Sequence, residues 1–468
     1  MRKLLLSLLG LGVAAACARA PAPCSVAFTV RPDDRGASVT AAIEGGPTTA
    51  WVGFGVGPGA APGLVDQIGA IAGFDADGNE LSLQPISRGG YSIETNGNPW
   101  QLTYHLDLRP SSDQGSFYRS STRGSDYLVL VGSDAWARFH SDPGAMAMPP
   151  EARADGPVAN ATVRFQQSPE SPDWRVVSTA WEEAPNTFAM RRHPVGSVFA
   201  VGPFEVIDQA VGSGLQIARH KDWDILPSRV DTLLGELLLS HQEMLGSAND
   251  HQALVLLSPM PDTITTQGGL RTAGMVRDQT LVVYAVKAAS LPPDHSGIVE
   301  AMAVFLGHEL FHLWVPSGVQ VTRELSWLSE GWAMHMGRRA AVASGWVDKE
   351  DGTRRLNNSY RRYLNIGGYR AGSLPAASVG HEAQRSVLYL RGELVFRLLE
   401  QEWNRSNPDR SFERSLWEAL TAAYDGIEPL DSVAIRAVLA DLTDPTTVRR
   451  YVEGEAPLTP DTLGLAGR

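Results

Sequence analysis

Two histidines, the glutamate between them and a second glutamate downstream are the residues of this chain best placed to do chemistry together. The run Gly307-His308-Glu309-Leu310-Phe311-His312-Leu313-Trp314 carries the pattern H-E-x-x-H. On a helix, residues four apart lie one turn above each other on one face. His308 and His312 then point two imidazoles at one metal ion, and Glu309 lies on the same side, within reach of a water at that metal. Val299, Met302, Val304, Phe305, Leu306, Leu310, Phe311 and Leu313 make the segment apolar nearly all round, which predicts a buried helix ended by Pro316. The competing explanation is chance. With 11 histidines in 468 residues, a random match is expected in roughly one or two such chains per hundred.

A second stretch argues against chance. Leu325-Ser326-Trp327-Leu328-Ser329-Glu330-Gly331-Trp332-Ala333-Met334-His335-Met336 reads as another apolar helix, with Glu330 its one carboxylate among aromatics. A catalytic zinc takes three protein ligands and keeps one position open. His308, His312 and Glu330 supply that set, so one zinc per chain is expected. The plainer alternative for Glu330 is a solvated helix glutamate.

H-E-L-F-H-L-W followed by W-L-S-E-G-W resembles the gluzincin metallopeptidases, and within them the glycyl-aminopeptidase family, or PDZ peptidases. The resemblance runs from about Ala27 to Leu458 and is strongest between Gly307 and Gly392. It implies an α+β chain: an N-terminal β-sandwich domain, then a thermolysin-like zincin catalytic domain with a helical C-terminal lobe. It also sets Tyr389-Leu390-Arg391-Gly392 on the Y-x-K-G segment of aminopeptidase-N-like gluzincins, with Arg391 where lysine is usual. On that match Glu309 is the general base and Tyr389 the oxyanion stabiliser. A phenol donates to an oxyanion and stays protonated at neutral pH. A packed aromatic at a helix start is the structural alternative.

Gly268-Gly269-Leu270-Arg271-Thr272 is similar to the G-G-L-E-H segment of glycyl aminopeptidases, where an edge strand binds substrate backbone and the glutamate holds a free α-amine. The resemblance makes Gly268, Gly269, Leu270 and Arg271 the expected substrate-binding residues. A glycine pair suits close approach of a peptide. Arg271 in place of the glutamate repels an α-ammonium and pairs with a carboxylate. Weak aminopeptidase activity, with a preference for internal bonds or acidic substrates, is the expectation; a loop arginine is the alternative. The sequence departs from the family at three points. Seventeen residues separate His312 from Glu330, closer to the aminopeptidase-N-like spacing. Val315 stands where relatives often have asparagine, and no PDZ pattern follows Leu458.

The remaining histidines near the motifs, His295, His335 and His381, lack ligand spacing and read as structural. A second carboxylate should orient the imidazoles, and Glu324 is a candidate.

The elements that must hold these residues fall into a simple order. Residues 1–20 read as a signal segment: basic Met1-Arg2-Lys3, then an apolar stretch from Leu4 to Ala16 too short to span a bilayer. Two processing outcomes stand side by side, a lipid anchor on Cys17 and a cut after Ala18-Arg19-Ala20. Either implies export to a bacterial cell envelope, the periplasm or beyond. Residues 21–172 read as a β domain, with alternation in Val26–Val30, Ser38–Ile43 and Trp100–Leu106, and a boundary at Ser168-Pro169-Glu170-Ser171-Pro172. Residues 173–296 read as the β-rich part of the catalytic domain, with a helix over Leu226–Leu245 and buried strands at Ala253–Leu257 and Leu281–Val286. Residues 297–468 read as the zinc helix and helical lobe. Cys17 and Cys24 are the only cysteines, so no disulfide framework holds the fold. The net charge of -12 without a basic run excludes nucleic acid as an expected partner and leaves a peptide or protein substrate.

The resulting expectation is an exported zinc metallopeptidase. Its rival in another class is a non-catalytic binding module that keeps the fold. Aminopeptidase and endopeptidase stay open within the enzyme reading.

Overall fold

The computed structural model describes residues 24–54, 67–87, 89–108, 121–140, 158–167, 173–190, 194–208, 214–247, 253–261, 264, 266, 269–277, 279–367, 373–379 and 385–465. The signal segment with Cys17, and Gly268 and His381, lie outside these residues.

Period-two alternation becomes strand, as expected. Cys24–Pro32 buries Val26, Phe28 and Val30 on one face. It lies within an eight-stranded sheet ordered Trp181–Ala184, Thr187–Met190, Val158–Phe165, Cys24–Pro32, Gly36–Glu44, Trp100–Asp107, Ile68–Asp75, Glu80–Leu81. Two four-stranded sheets share its core, where Phe28 meets Trp136 and Trp136 meets Phe199 at ring-centroid distances of 5.1 and 5.9 Å. The sandwich does not stop at 172. Thr187–Met190 pairs with Val158–Phe165, and Arg175–Val177 pairs with Val198–Gly202, which also pairs with Leu128–Val131. The proline-rich run at 168–172 lies outside the described residues, and the sheets of the sandwich take up strands on both sides of it and run on to Gly202.

From Phe204 a five-stranded sheet begins, ordered Phe204–Asp208, Leu215–His220, Ala253–Pro259, Thr280–Lys287, Leu270–Arg277. Leu215–His220 and Ala253–Pro259 are parallel, so the chain must cross over between them. Helix Val230–Leu245 makes the crossover, burying Val230, Leu233, Leu234, Leu237 and Leu238 at helical spacing. Gly246, at φ 66°, ends it in the left-handed conformation that favours glycine. Leu270–Arg277 returns antiparallel to Thr280–Lys287 and has no neighbour on its other side in the described sheet.

Beyond this sheet the chain is helical. Ser296–Phe311 carries the H-E-x-x-H motif, Ser326–Ala343 carries Glu330 and Arg385–Ser406 carries Tyr389. Lys349–Asn365, Phe412–Ala423 and Ser432–Leu442 complete the lobe. Phe311, Trp332 and Phe396 join the three site helices, with Trp332 stacked on Phe396 at 5.8 Å and 10°. Among the described residues no helix is long and apolar enough to cross a membrane.

Candidate active site

The motif helix begins on His295, whose ring accepts a hydrogen bond from the Gly297 amide, 3.1 Å. Its last turn holds His308 and Glu309, and His312 follows as the C-cap. Burial of the helix is close to complete here, so these polar groups must find partners inside the protein. His312 Nδ1 donates to the Val315 carbonyl at 2.9 Å. A carbonyl only accepts, so Nδ1 carries a proton and Nε2 is the nitrogen turned toward the site. A backbone oxygen therefore orients His312, where Glu324 was the sequence candidate. Behind the helix, buried His241 donates through Nε2 to the Gly307 carbonyl at 2.8 Å. Burial there pushes the His241 imidazole down to about 4, so it stays neutral.

Glu330 arrives from the neighbouring helix. His308 Nε2 and His312 Nε2 lie 3.2 Å apart, and Glu330 Oε2 is 3.4 Å from the first and 3.6 Å from the second. Four-coordinate zinc with ligand bonds of about 2.0–2.1 Å would place its ligand atoms about 3.3–3.4 Å from one another. Glu330 Oε2 is buried and makes no hydrogen bond of good geometry, which is what a ligand atom awaiting a cation looks like. Two imidazole nitrogens and one carboxylate oxygen are a zinc donor set, so the residues present fit the ion. Burial alone would raise the Glu330 carboxyl, but His312 and His308 outweigh it and hold it well below the usual carboxylate range. Burial would lower His312, yet Glu330 wins and holds it up to about 9. Burial pushes the Glu309 carboxyl up.

Two further groups of His and carboxylates converge, Asp126/His220/Asp222 and His335/Glu400/Glu413. In each a side-chain cation already stands among the carboxylates. Lys221 Nζ is 2.9 Å from Asp126, and Arg339 bonds both Glu400 and Glu413.

Tyr389 faces the same opening, its ring 5.9 Å from that of His308. Two residues on, Arg391 is fully buried. It donates to Tyr363 Oη and to the carbonyls of Tyr451, Gly454 and Ala456 at 3.0–3.2 Å. A guanidinium, with five donors, satisfies such a set where an ammonium has three. Arg391 thus ties the tyrosine helix to the C-terminal segment.

The cleft that joins these groups has a volume of about 680 Å³. His308, Glu309, His312, Glu330 and Tyr389 all line it. So does the edge strand, but only over Thr272–Arg277. Gly269, at φ 73°, precedes the strand, and Leu270 packs against the helical core. Arg271 lies in the strand yet does not line the cleft, and by alternation it shares a face with Ala273 and Met275, which pack toward the sandwich. The contact with the motif is made instead at Gly274. A Cβ there would come within 2.5–2.8 Å of the Glu309 carboxylate. Sequence reasoning missed Gly274, although a glycine inside a strand is a standing signal of close approach by another group.

With the geometry in hand, solved structures give the same answer for the fold. An aminopeptidase N family protein from Idiomarina loihiensis matches with a TM-score of 0.78 at 14% identity, over 94% of this chain and 78% of that one. The fold is that of the aminopeptidase N family. An M1 zinc metallopeptidase from Deinococcus radiodurans matches at TM-score 0.55 and 16% identity, over 94% of this chain and 96% of that one. A two-domain M1 zinc metallopeptidase, a glutamate-to-alanine mutant bound to L-tryptophan, matches at 0.55 and 14%, with the same coverage. No protein-family model and no curated protein matches the sequence. The α+β architecture of sandwich, zincin sheet and helical lobe is therefore an aminopeptidase N fold, and the three neighbours belong to that group rather than to the glycyl-aminopeptidase branch expected from the motifs.

Proposed function

We propose that this chain is an exported zinc metallopeptidase that hydrolyses peptide bonds. One observation carries the reading: two imidazole nitrogens, a carboxylate oxygen, a buried glutamate and a tyrosine converge on one cleft beside a strand that is the edge of its sheet among the described residues. The M1 zinc metallopeptidases among the structural neighbours support the choice of metal. His308, His312 and Glu330 would hold one zinc per chain. Bound there, zinc would polarise the scissile carbonyl and make water nucleophilic near neutral pH.

The chain's own residues do the rest. The outer edge of Leu270–Arg277 offers backbone N–H and C=O groups to an extended peptide. Glu309 takes the proton of the attacking water and passes it to the leaving nitrogen; its raised carboxyl suits both halves of that task. Tyr389 donates to the carbonyl oxygen as it gains negative charge. A binding module needs neither group. The finer kinship to glycyl aminopeptidases rests on H-E-L-F-H-L-W, W-L-S-E-G-W and the Gly268–Thr272 segment. Export rests on the N-terminal basic and apolar segments, with Cys17 a site for a lipid anchor.

The test is a pair of variants with zinc analysis. Glu309→Gln should keep about one zinc per chain and lose hydrolysis, since it deletes the base and spares the ligands. Tyr389→Phe should slow turnover by roughly ten- to a thousandfold. Zinc below about half an equivalent after loading, or two variants that cleave every peptide as wild type does, would sink the reading.

A further inference from the structure

Gly274 lies against the carboxylate of Glu309 more closely than a residue with a side chain could. A Cβ built on it would stand 2.5 Å from Cδ, 2.7 Å from Oε1 and 2.8 Å from Oε2 of Glu309. Three nearly equal distances, the shortest to the central carbon, mean that this position points at the flat face of the carboxylate and not at one edge. Carboxylate oxygens accept hydrogen bonds close to their own plane. A neighbour pressed on the face therefore steadies the group and leaves the in-plane lone pairs of both oxygens open.

Backbone conformation does not require glycine here. Gly274 is not among the glycines of positive φ, and it pairs with Val283 in a ladder without a bulge. Space is the requirement, and its kind is unusual for the site. At Gly307, Gly331 and Gly392 an added Cβ would meet the backbone of a neighbouring helix. At Gly274 it would meet only the movable end of one side chain. Nor does hydrogen bonding hold that end: the influences on the buried Glu309 carboxyl are burial and the charges of His308, His312 and Glu330.

We infer that Gly274 is the positioning residue of Glu309. The side chain it lacks is the space in which the carboxylate lies, so the strand whose outer edge takes the peptide also sets where the base stands. The inference rests on the peptidase reading for what that base does. Gly274→Ala would be absorbed by a swing of the Glu309 end, with strand, helix and metal ligands left in place.

Gly274→Ala, Glu309→Asp, the double variant and Gly69→Ala would be loaded with zinc and compared with wild type on an N-acetylated peptide that the wild type cleaves. Gly274→Ala should lower kcat by roughly a hundredfold, the cost of a group about 1 Å out of line, with KM changed by about threefold or less. Its zinc content and urea midpoint should match those of wild type and of Gly69→Ala, where an added Cβ meets nothing within 4 Å. Aspartate keeps the carboxylate on a side chain one methylene shorter. Glu309→Asp should therefore cost at least roughly tenfold less in kcat when Gly274→Ala is present than when it is absent. Costs that simply multiply overturn the inference. So does a rise in KM at unchanged kcat, which would make Gly274 a gap for the peptide alone. A fall in urea midpoint and zinc content together also overturns it, since Gly274 would then be a packing residue. A wild type that cleaves no peptide removes the peptidase reading only. Crystal structures of wild type and Gly274→Ala then decide: a Glu309 carboxylate moved off the strand, with His308 and His312 in place, supports the inference, and an unmoved carboxylate overturns it.

Discussion

At the scale of the residue, the proposed zinc site would set a metal against a proton at His312. Glu330 holds that imidazole up to about 9 against the pull of burial, so near neutral pH the nitrogen that faces the site carries a proton. Zinc needs the lone pair and must displace it. The sign follows directly. Above about 9 the imidazole is already neutral and zinc affinity is flat in pH; below it each unit of acid costs up to about tenfold. Chelator competition at a series of pH values reads this slope, and an affinity that does not fall on acidification would contradict it. The convergence of His308 and His312 was legible because a spacing of four on a helix leaves little freedom. The edge-strand position was not. Gly268 to Arg271 drew the eye as a glycine pair with an arginine. The length of strand that meets Glu309 is set by how the hairpin packs on the motif helix, and that placed Gly274 over the carboxylate.

At the scale of the element, glycines decide how close the site helices come. A Cβ on Gly331 would lie 2.5 Å from the Gly392 Cα, and one on Gly392 would lie 2.6 Å from the Gly331 Cα. A Cβ on Gly307 would lie 2.9 Å from the Gly337 carbonyl oxygen. Each crossing sits beside a residue of the candidate site: Gly307 precedes His308, Gly331 follows Glu330, and Gly392 is one turn past Tyr389. The obstructing atoms are backbone, which cannot swing aside as a side chain can. Gly392→Ala should therefore push two helices apart, costing about 1–3 kcal/mol as overpacking does elsewhere, and should weaken zinc binding by moving Glu330. Gly69→Ala, with nothing within 4 Å of the added Cβ, is the control and should stay within about 0.5 kcal/mol of wild type. Urea unfolding and zinc titration of both proteins decide the point; a Gly392→Ala protein as stable and as zinc-avid as its parent would refute it. Sequence patterning marked all three helices but not their crossings, because a glycine in an apolar helix shows no partner until the second helix is laid against it.

At the scale of the whole molecule, the sandwich and the catalytic sheet are not independent. Leu128–Val131 and Val198–Gly202 are buried on both faces. Leu128, Leu130, Phe199 and Val201 enter the sandwich core, while Val129, Val131, Val198 and Ala200 turn the other way. There they pack with Phe204, Ala218, Leu254, Leu256, Val282 and Tyr284 of the catalytic sheet. Tyr127 Oη donates to the Pro259 carbonyl at 2.6 Å across the same junction. A strand that alternates has one wet face, whereas L-V-L-V and V-F-A-V-G do not alternate, which is the mark of two buried faces. That pattern was present in the sequence and outweighs the proline-rich run as a guide to where the sandwich ends. Its consequence is cooperative. The catalytic sheet depends on the sandwich to cover one of its faces, so a fragment beginning at Pro203 should expose that apolar face and aggregate, zinc site included. The full chain should melt in a single calorimetric transition, and Val129→Asp, which buries an unpaired charge in the junction, should shift that one transition downward as a whole. Two transitions well separated in temperature, or a soluble fragment that binds zinc, would mean that the shared layer is a contact between finished domains and not part of a common core.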